Sequence, residues 1–425
     1  MTDDASVSPS PAPEAERLAV GDLFQPFSPA YQEDPARSFY VEAHARAPVA
    51  YSRAFYAYLV TSHAEVMHVL RDPVLFSSAR LLEPVVPFTP ELLARLEQGT
   101  FPLPPGLFNN DPPSHTRARL LFSKAFTPAS VAAMEPQIRR FASELAGELA
   151  SGPDELELMH DFTFKLPMRV IAALVGVPYE DMPQLKAWQD DWFKLFDPAL
   201  DQATKMAAAD GFLAYQRYYA DLIAERRKQP ADDLISALLR AREGSDMLTT
   251  EEMISHLVVL LFAGYETAAS LMGSLLFALL DEPELWRRVG DDAALLQAAT
   301  EETLRMHASV QMEPRHTTRN TTVGGVEIPA GAMVMTFFGA ANYDARVFPD
   351  PLRFDLTRPN GNRHLGFGWG IHSCLGASLA RLEVRAGMQA LRAALPDLRL
   401  AEGARRSYLP SLFFRTPAAV PAVRG

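Results

Sequence analysis

Apolar residues recur three and four positions apart through the middle of the chain. In ARLLFSKAF, IRRFASELAGELA and LPMRVIAALVGV that spacing predicts amphipathic helices, and the helical period dominates from about residue 114 to 306. Helix starts are marked by Pro112-Pro113 before Ser114, by Thr127-Pro128, and by Thr249-Thr250 followed by Glu251-Glu252, each placing a capping or φ-restricted residue ahead of a first turn. Strand signals are fewer and short: 49–51, 57–60, 321–323 and 326–328 around the turn Gly324-Gly325, and 332–338. The pattern predicts a mainly α (α+β) fold with a small β-rich region.

Proline concentrates in 84–113 and 349–359, which read as irregular, and loops of that length inside a domain usually serve binding. No period of 20–50 residues and no flexible linker interrupts residues 20–425, so 17–425 is expected to form a single domain. Residues 1–16 carry acids, Ser, Pro and Ala in place of a secretory signal, and are expected to be a disordered tail. The segment 254–280 is long enough to span a bilayer but holds His256, Glu266 and Thr267, and mid-span charge is costly. A buried central helix, with no membrane span, is the expectation, and the acid in its middle then demands a reason.

Composition narrows the function. Forty Lys and Arg against 52 Asp and Glu give a net charge of −12, which repels phosphate backbones and argues against nucleic acid. The single cysteine in 425 residues excludes an internal disulfide and a zinc site of several thiolates, and points to a reducing, cytoplasmic setting.

That cysteine lies in FGWGIHSCLG, residues 367–376, ahead of the helical pattern of 376–395. Gly368, Gly370 and Gly376 let the backbone turn sharply and approach something bulky, while a helix N-terminus offers free N–H groups and favours a thiolate. A thiolate there has three uses. As a nucleophile it needs a His base with an orienting partner, and His372 is too local to form a reliable dyad. As a zinc ligand it needs companions that the sequence lacks. As the axial ligand of a haem iron it needs only itself, and this option fits best.

The decapeptide resembles the haem-binding loop of the cytochrome P450 superfamily, Phe-Gly-x-Gly-x-His-x-Cys-x-Gly, and the resemblance runs from about residue 20 to the C-terminus. It implies haem b held by Cys374, with Phe367, Gly368 and Ala263 against the cofactor. Glu302 and Arg305 would by spacing alone be a surface ion pair worth about 0–1 kcal/mol. They match the family's Glu-x-x-Arg, which implies a structural set completed by Arg353 in FPDPLRFD. The prolines usual after that Arg are replaced by MHASV at 306–310.

AGYET, residues 263–267, is similar to the family's acid-Thr signature, which implies Glu266 and Thr267 as a proton relay; a Thr bonding back to a carbonyl can distort a helix and admit water. The His-x-x-x-Arg of His115 and Arg119, with Arg315 and His372, implies the partners of the haem propionates. His364 is expected to be structural.

The remaining expectations concern what the protein meets. An apolar pocket is expected from Leu81, Leu82, Phe88, Leu103, Leu107, Leu260, Leu261, Val310, Met312, Leu412 and Phe413, with Glu313 as a polar exception, and so a hydrophobic small-molecule substrate. The resemblance implies a monooxygenase that inserts one atom of O2. Electrons would come from NAD(P)H only indirectly, through a ferredoxin and its reductase, docked beside Arg117, Trp369, Arg381 and Arg385. The alternatives are a peroxide-dependent enzyme on the same fold and a non-catalytic haem sensor.

Overall fold

Thr249 Oγ1 accepts a hydrogen bond from the Glu252 N–H and the Glu252 carboxylate accepts one from the Thr249 N–H, a reciprocal cap that starts the central helix, Thr250–Leu280. The computed structural model describes residues 11–242 and 246–425. The central helix joins both large apolar clusters, Leu257 and Leu261 packing with Phe212 and Tyr219, Leu271 and Leu275 with Phe162 and Leu166. Each such leucine contributes about 1.5–3 kcal/mol through burial. The helix is long and apolar enough to cross a membrane, but 61% of its apolar window lies inside the protein, as befits a core helix.

The helices that matter for the site surround this axis: Ser114–Ala125, Lys165–Val175, Ala293–Met306 and Ala377–Ala394. The larger sheet has five strands, β1 (Val49–Ser52), β2 (Ala57–Val60), β3 (Phe76–Ser77), β4 (Met312–Thr317) and β5 (Met333–Phe337), in the order β1-β2-β5-β4-β3. β2 pairs parallel to β5, and β4 runs antiparallel to β5 with Arg315 opposite Val334. Gly324 and Gly325 both take positive φ, 54° and 77°, which the tight hairpin Thr321–Val323/Val326–Ile328 requires.

The mainly helical α+β reading matches this architecture. Three details differ. The region 84–113 contains the helix Pro90–Leu96, whose first turn is capped by Thr89 accepting from the Leu92 N–H at 3.2 Å. Residues 14–16 of the expected tail belong to the helix Glu14–Asp22, where Glu16 pairs with Arg46; residues 1–10 lie outside the described residues. Strand β4, which carries Glu313 and Arg315, gives no alternating signal because Pro314 and two charges interrupt it.

Candidate active site and cofactor cradle

Three conformational demands shape the cysteine loop. Gly368 and Gly370 adopt φ of 64° and 76°, and a Cβ on Gly370 would lie 2.8 Å from the Leu70 carbonyl oxygen. The Gly368 N–H donates to Leu365 O at 2.9 Å and the Cys374 N–H to Phe367 O at 2.8 Å, closing the loop before the helix Ala377–Ala394 begins. Cys374 opens onto a cavity of about 290 Å³. The thiol is accessible from that cavity yet surrounded by protein, and burial pushes it up against the pull of the Gly376 N–H, Arg119 and Arg381. The helix end alone therefore does not make the thiolate that its position suggests. A metal cation bound to the sulfur would remove the proton.

The central helix supplies another wall of the cavity through one stripe, His256, Val259, Leu260, Ala263, Gly264, Thr267, Ala268 and Leu271, spaced three and four apart. Gly264 is needed because a Cβ there would meet Ile171 Cδ1 at 2.5 Å. Thr267 Oγ1 donates back to Ala263 O at 3.0 Å, while Ser309 Oγ donates to Thr267 O at 2.7 Å. Glu266 is not part of the lining. Its Oε1 accepts from Thr416 Oγ1 at 3.3 Å, and Ser270 Oγ, 2.8 Å from Thr416 Oγ1, donates to Glu266 O. Burial pushes the Glu266 carboxyl up and the Lys186 charge draws it down; Lys186 is itself paired at 2.8 Å with the half-exposed Asp190. Thr267 thus faces the cavity, and Glu266 faces Thr416 on the side of Lys186 and Asp190.

Whether a haem fits is decided by unpaired donors. Both ring nitrogens of His115 are buried without a hydrogen-bond partner, and its ring lies 4.4 Å from that of His372. Arg119 donates to Ser373 O at 2.8 Å and lines the cavity with His372, Phe367, Gly368 and Ala263. Arg315 is buried, pairs with Glu313 at 2.9 Å, and its charge helps burial hold His372 down at about 3. His372 is itself occupied, its Nδ1 on Leu107 O at 3.0 Å and its Nε2 3.2 Å from Ser78 Oγ. A cluster of cationic and orphaned donors around a slot with a cysteine on it suits a flat dianionic cofactor. Glu313, the polar exception, lines the cavity and is paired with Arg315.

The structural set is corrected at one position. Glu302 and Arg305 form a buried bidentate pair at 2.8 and 2.9 Å, as expected. The third member is Arg358, whose Nε donates to both Glu302 oxygens at 3.1 and 3.2 Å and whose side chain is 4% exposed. Arg353 is exposed and contributes only its carbonyl, to Arg305 at 3.2 Å and Arg358 at 3.1 Å.

Other expectations shift too. Of the apolar residues proposed for the pocket, Leu107, Leu260 and Val310 line it. Leu261 and Met312 are fully packed in the core, and Leu412 and Phe413 pack against the aromatic cluster of Phe24 and Phe39. Phe122, Ile171 and Leu174 take their places. The central-helix spacing was the signal for Val259; nothing in the sequence marked Ile171. The expected basic rim is largely neutralised, since Arg117 is paired with Asp246 and Glu252, Arg381 with Glu301, and Arg385 with Glu135.

Glu383, on the helix after Cys374, also lines the cavity, and its Oε2 is buried without a partner. Burial pushes its carboxyl well up, so it is held neutral. Above the ordinary carboxylate range, about pH 4.3, the unfolded chain releases this proton and the folded one keeps it, so the group costs stability as pH rises. Glu383→Gln is expected to melt higher than wild type by a margin that widens from about pH 5 to 8. A pH-independent difference in Tm would contradict a neutral Glu383.

A sequence profile described as Cytochrome P450 matches residues 65–391. The chain is 38% identical over 349 residues to "Cytochrome P450 107B1" of Saccharopolyspora erythraea, covering 81% of this chain and 83% of that one. It is 36% identical over 406 residues to "Vitamin D(3) 25-hydroxylase" of Pseudonocardia autotrophica, covering 92% and 91%. Its structure superposes on that of "cytochrome P450 CREJ in complex with (4-ethylphenyl) dihydrogen phosphate" with a TM-score of 0.86 at 29% identity, over 95% of this chain and 99% of that one.

Proposed function

The chain belongs to the cytochrome P450 family, and on that footing we propose that Cys374 is the sulfur ligand of its haem, with Thr267 and Glu266 as the proton relay of a monooxygenase. Haem b, when bound, supplies the redox chemistry: O2 activation with electrons that originate in NAD(P)H, and transfer of one oxygen atom to the substrate. The protein's own residues do the rest. His115, Arg119, Arg315 and His372 would hold the carboxylates of the cofactor, and Phe367 and Gly368, which line the cavity with the cysteine, would pack against it.

Val259, Leu260, Ala263, Ile171, Leu174 and Val310 form an apolar lining that admits a hydrophobic small molecule and leaves bulk water little to bind. Thr267 Oγ1 holds a proton at the cavity face, and Glu266, held up by burial, passes protons inward from the Lys186 and Asp190 side. Electrons come from a ferredoxin and its reductase, which meet the cysteine side where Trp369 is exposed under the Arg71 guanidinium, 5.6 Å from the ring centroid. The cytoplasm is the setting proposed for this exchange.

The observation that carries this reading is that Cys374 and Thr267 line one cavity while Glu266 does not line it. Thr267→Ala is expected to keep consuming NAD(P)H and O2 while product per NAD(P)H falls on the order of 10-fold, and Glu266→Gln to slow both on the order of 100-fold. Parallel assay of cofactor consumption and product checks this; unchanged coupling in Thr267→Ala would remove the relay.

A further inference from the structure

Glu302 has a neighbour with a different task. Glu301, one position earlier on Ala293–Met306, reaches the other way, and Arg381 of the helix after Cys374 grips it through Nε at 2.6 Å and a second nitrogen at 2.8 Å. His364 Nε2 lies 3.0 Å from the same carboxylate. The Gly366 N–H donates to His364 Nδ1 at 3.0 Å, so Nδ1 is the acceptor and Nε2–H the donor to Glu301. Burial alone would raise the Glu301 carboxyl, but the bonds from Arg381 and His364 hold it at about 2, so it stays charged.

This cluster touches the cysteine loop directly. The Arg381 guanidinium stacks 4.5 Å from the centroid of Phe367, and the Phe367 carbonyl accepts the Cys374 N–H. A guanidinium on the Phe367 ring and a carboxylate behind the guanidinium make a graded electrostatic pair at the cysteine loop.

We propose that Glu301 is a positioning residue for the sulfur ligand: it pins Arg381 against Phe367, fixes His364, and sets how much positive charge Cys374 feels. The inference rests on Cys374 ligating the haem iron. Positive charge near the sulfur draws electron density from it and favours the reduced cofactor; the Glu301 carboxylate moderates that effect.

The test uses haem-loaded protein and three variants, Glu301→Gln, Arg381→Gln and the double substitution, each measured for midpoint potential and for the carbon monoxide difference spectrum. Glu301→Gln leaves Arg381 uncompensated and is expected to shift the potential upward. Arg381→Gln removes the cation and is expected to shift it downward, and the double variant returns toward wild type. All three are expected to keep the long-wavelength carbon monoxide band. A scaffold role alone makes both single variants shift together or lose the band together, with the double variant worse, and that result overturns the inference. So do unmoved potentials in all three. Absence of the band from wild type would instead refute ligation by Cys374.

Discussion

Cys374→Ala, reconstituted with haem, is expected to give no long-wavelength carbon monoxide band on reduction and no detectable substrate oxidation, against a wild type that shows both. The physical reason lies in the loop. Gly368 and Gly370 at positive φ and the Cys374 N–H bond to Phe367 O aim one sulfur at the cavity, and this is the only cysteine in the chain. No neighbouring side chain can replace its electron release, which is what favours O–O cleavage. Haem retention separates the outcomes: His115, Arg119, Arg315 and Phe367 remain, so the variant is expected to bind haem weakly rather than not at all. A band that persists in the alanine variant would end the haem-thiolate assignment.

The second large effect distinguishes two arginines five positions apart. Arg358→Ala leaves the Glu302 carboxylate, 2% exposed, with one partner fewer and strips hydrogen bonds from the carbonyls of Pro349, Asp350 and Arg353. Removing one partner from a buried ionic set costs about 3–5 kcal/mol, and for a marginally stable protein that is a large part of the total. Little soluble haem-loaded protein is expected. Arg353→Ala removes an exposed side chain whose backbone carbonyl stays in place, and is expected to change stability by no more than about 0.5 kcal/mol. Expression yield and denaturant midpoint for the pair settle the assignment; equal losses in both would return Arg353 to the set.

That contrast shows where sequence reading stops. FPDPLRFD and LTRPN each offer an arginine in an irregular, proline-rich stretch, and no periodic signal says which side chain turns inward. The choice depends on how the chain wraps between Asp344 and His364, a long-range fact. Local signals fared better. The hairpin at Gly324-Gly325, the caps at Thr127 and Thr249, and the glycine frame of Cys374 are encoded within a few residues and appear as read. Glu266 and Thr267 were legible as a departure from core packing, yet only the rotation of the helix shows that they look in different directions. Ile171 and Leu174 had no signature, because a residue on an apolar helix face lines a cavity or fills a core according to what lies opposite. The thiol was read from its helix end; burial opposes that effect and is invisible in a one-dimensional pattern.

Consecutive residues of a helix point about 100° apart, and here that single step separates Thr267, on the cavity side, from Glu266, on the side of Thr416 and Lys186. The helix thus acts as a partition one residue thick. Inserting one position upstream would carry the carboxylate to the cavity-facing place that Thr267 now holds, and deleting one would carry it to the buried place of Tyr265, so only a change of near-whole turns keeps both groups where they are.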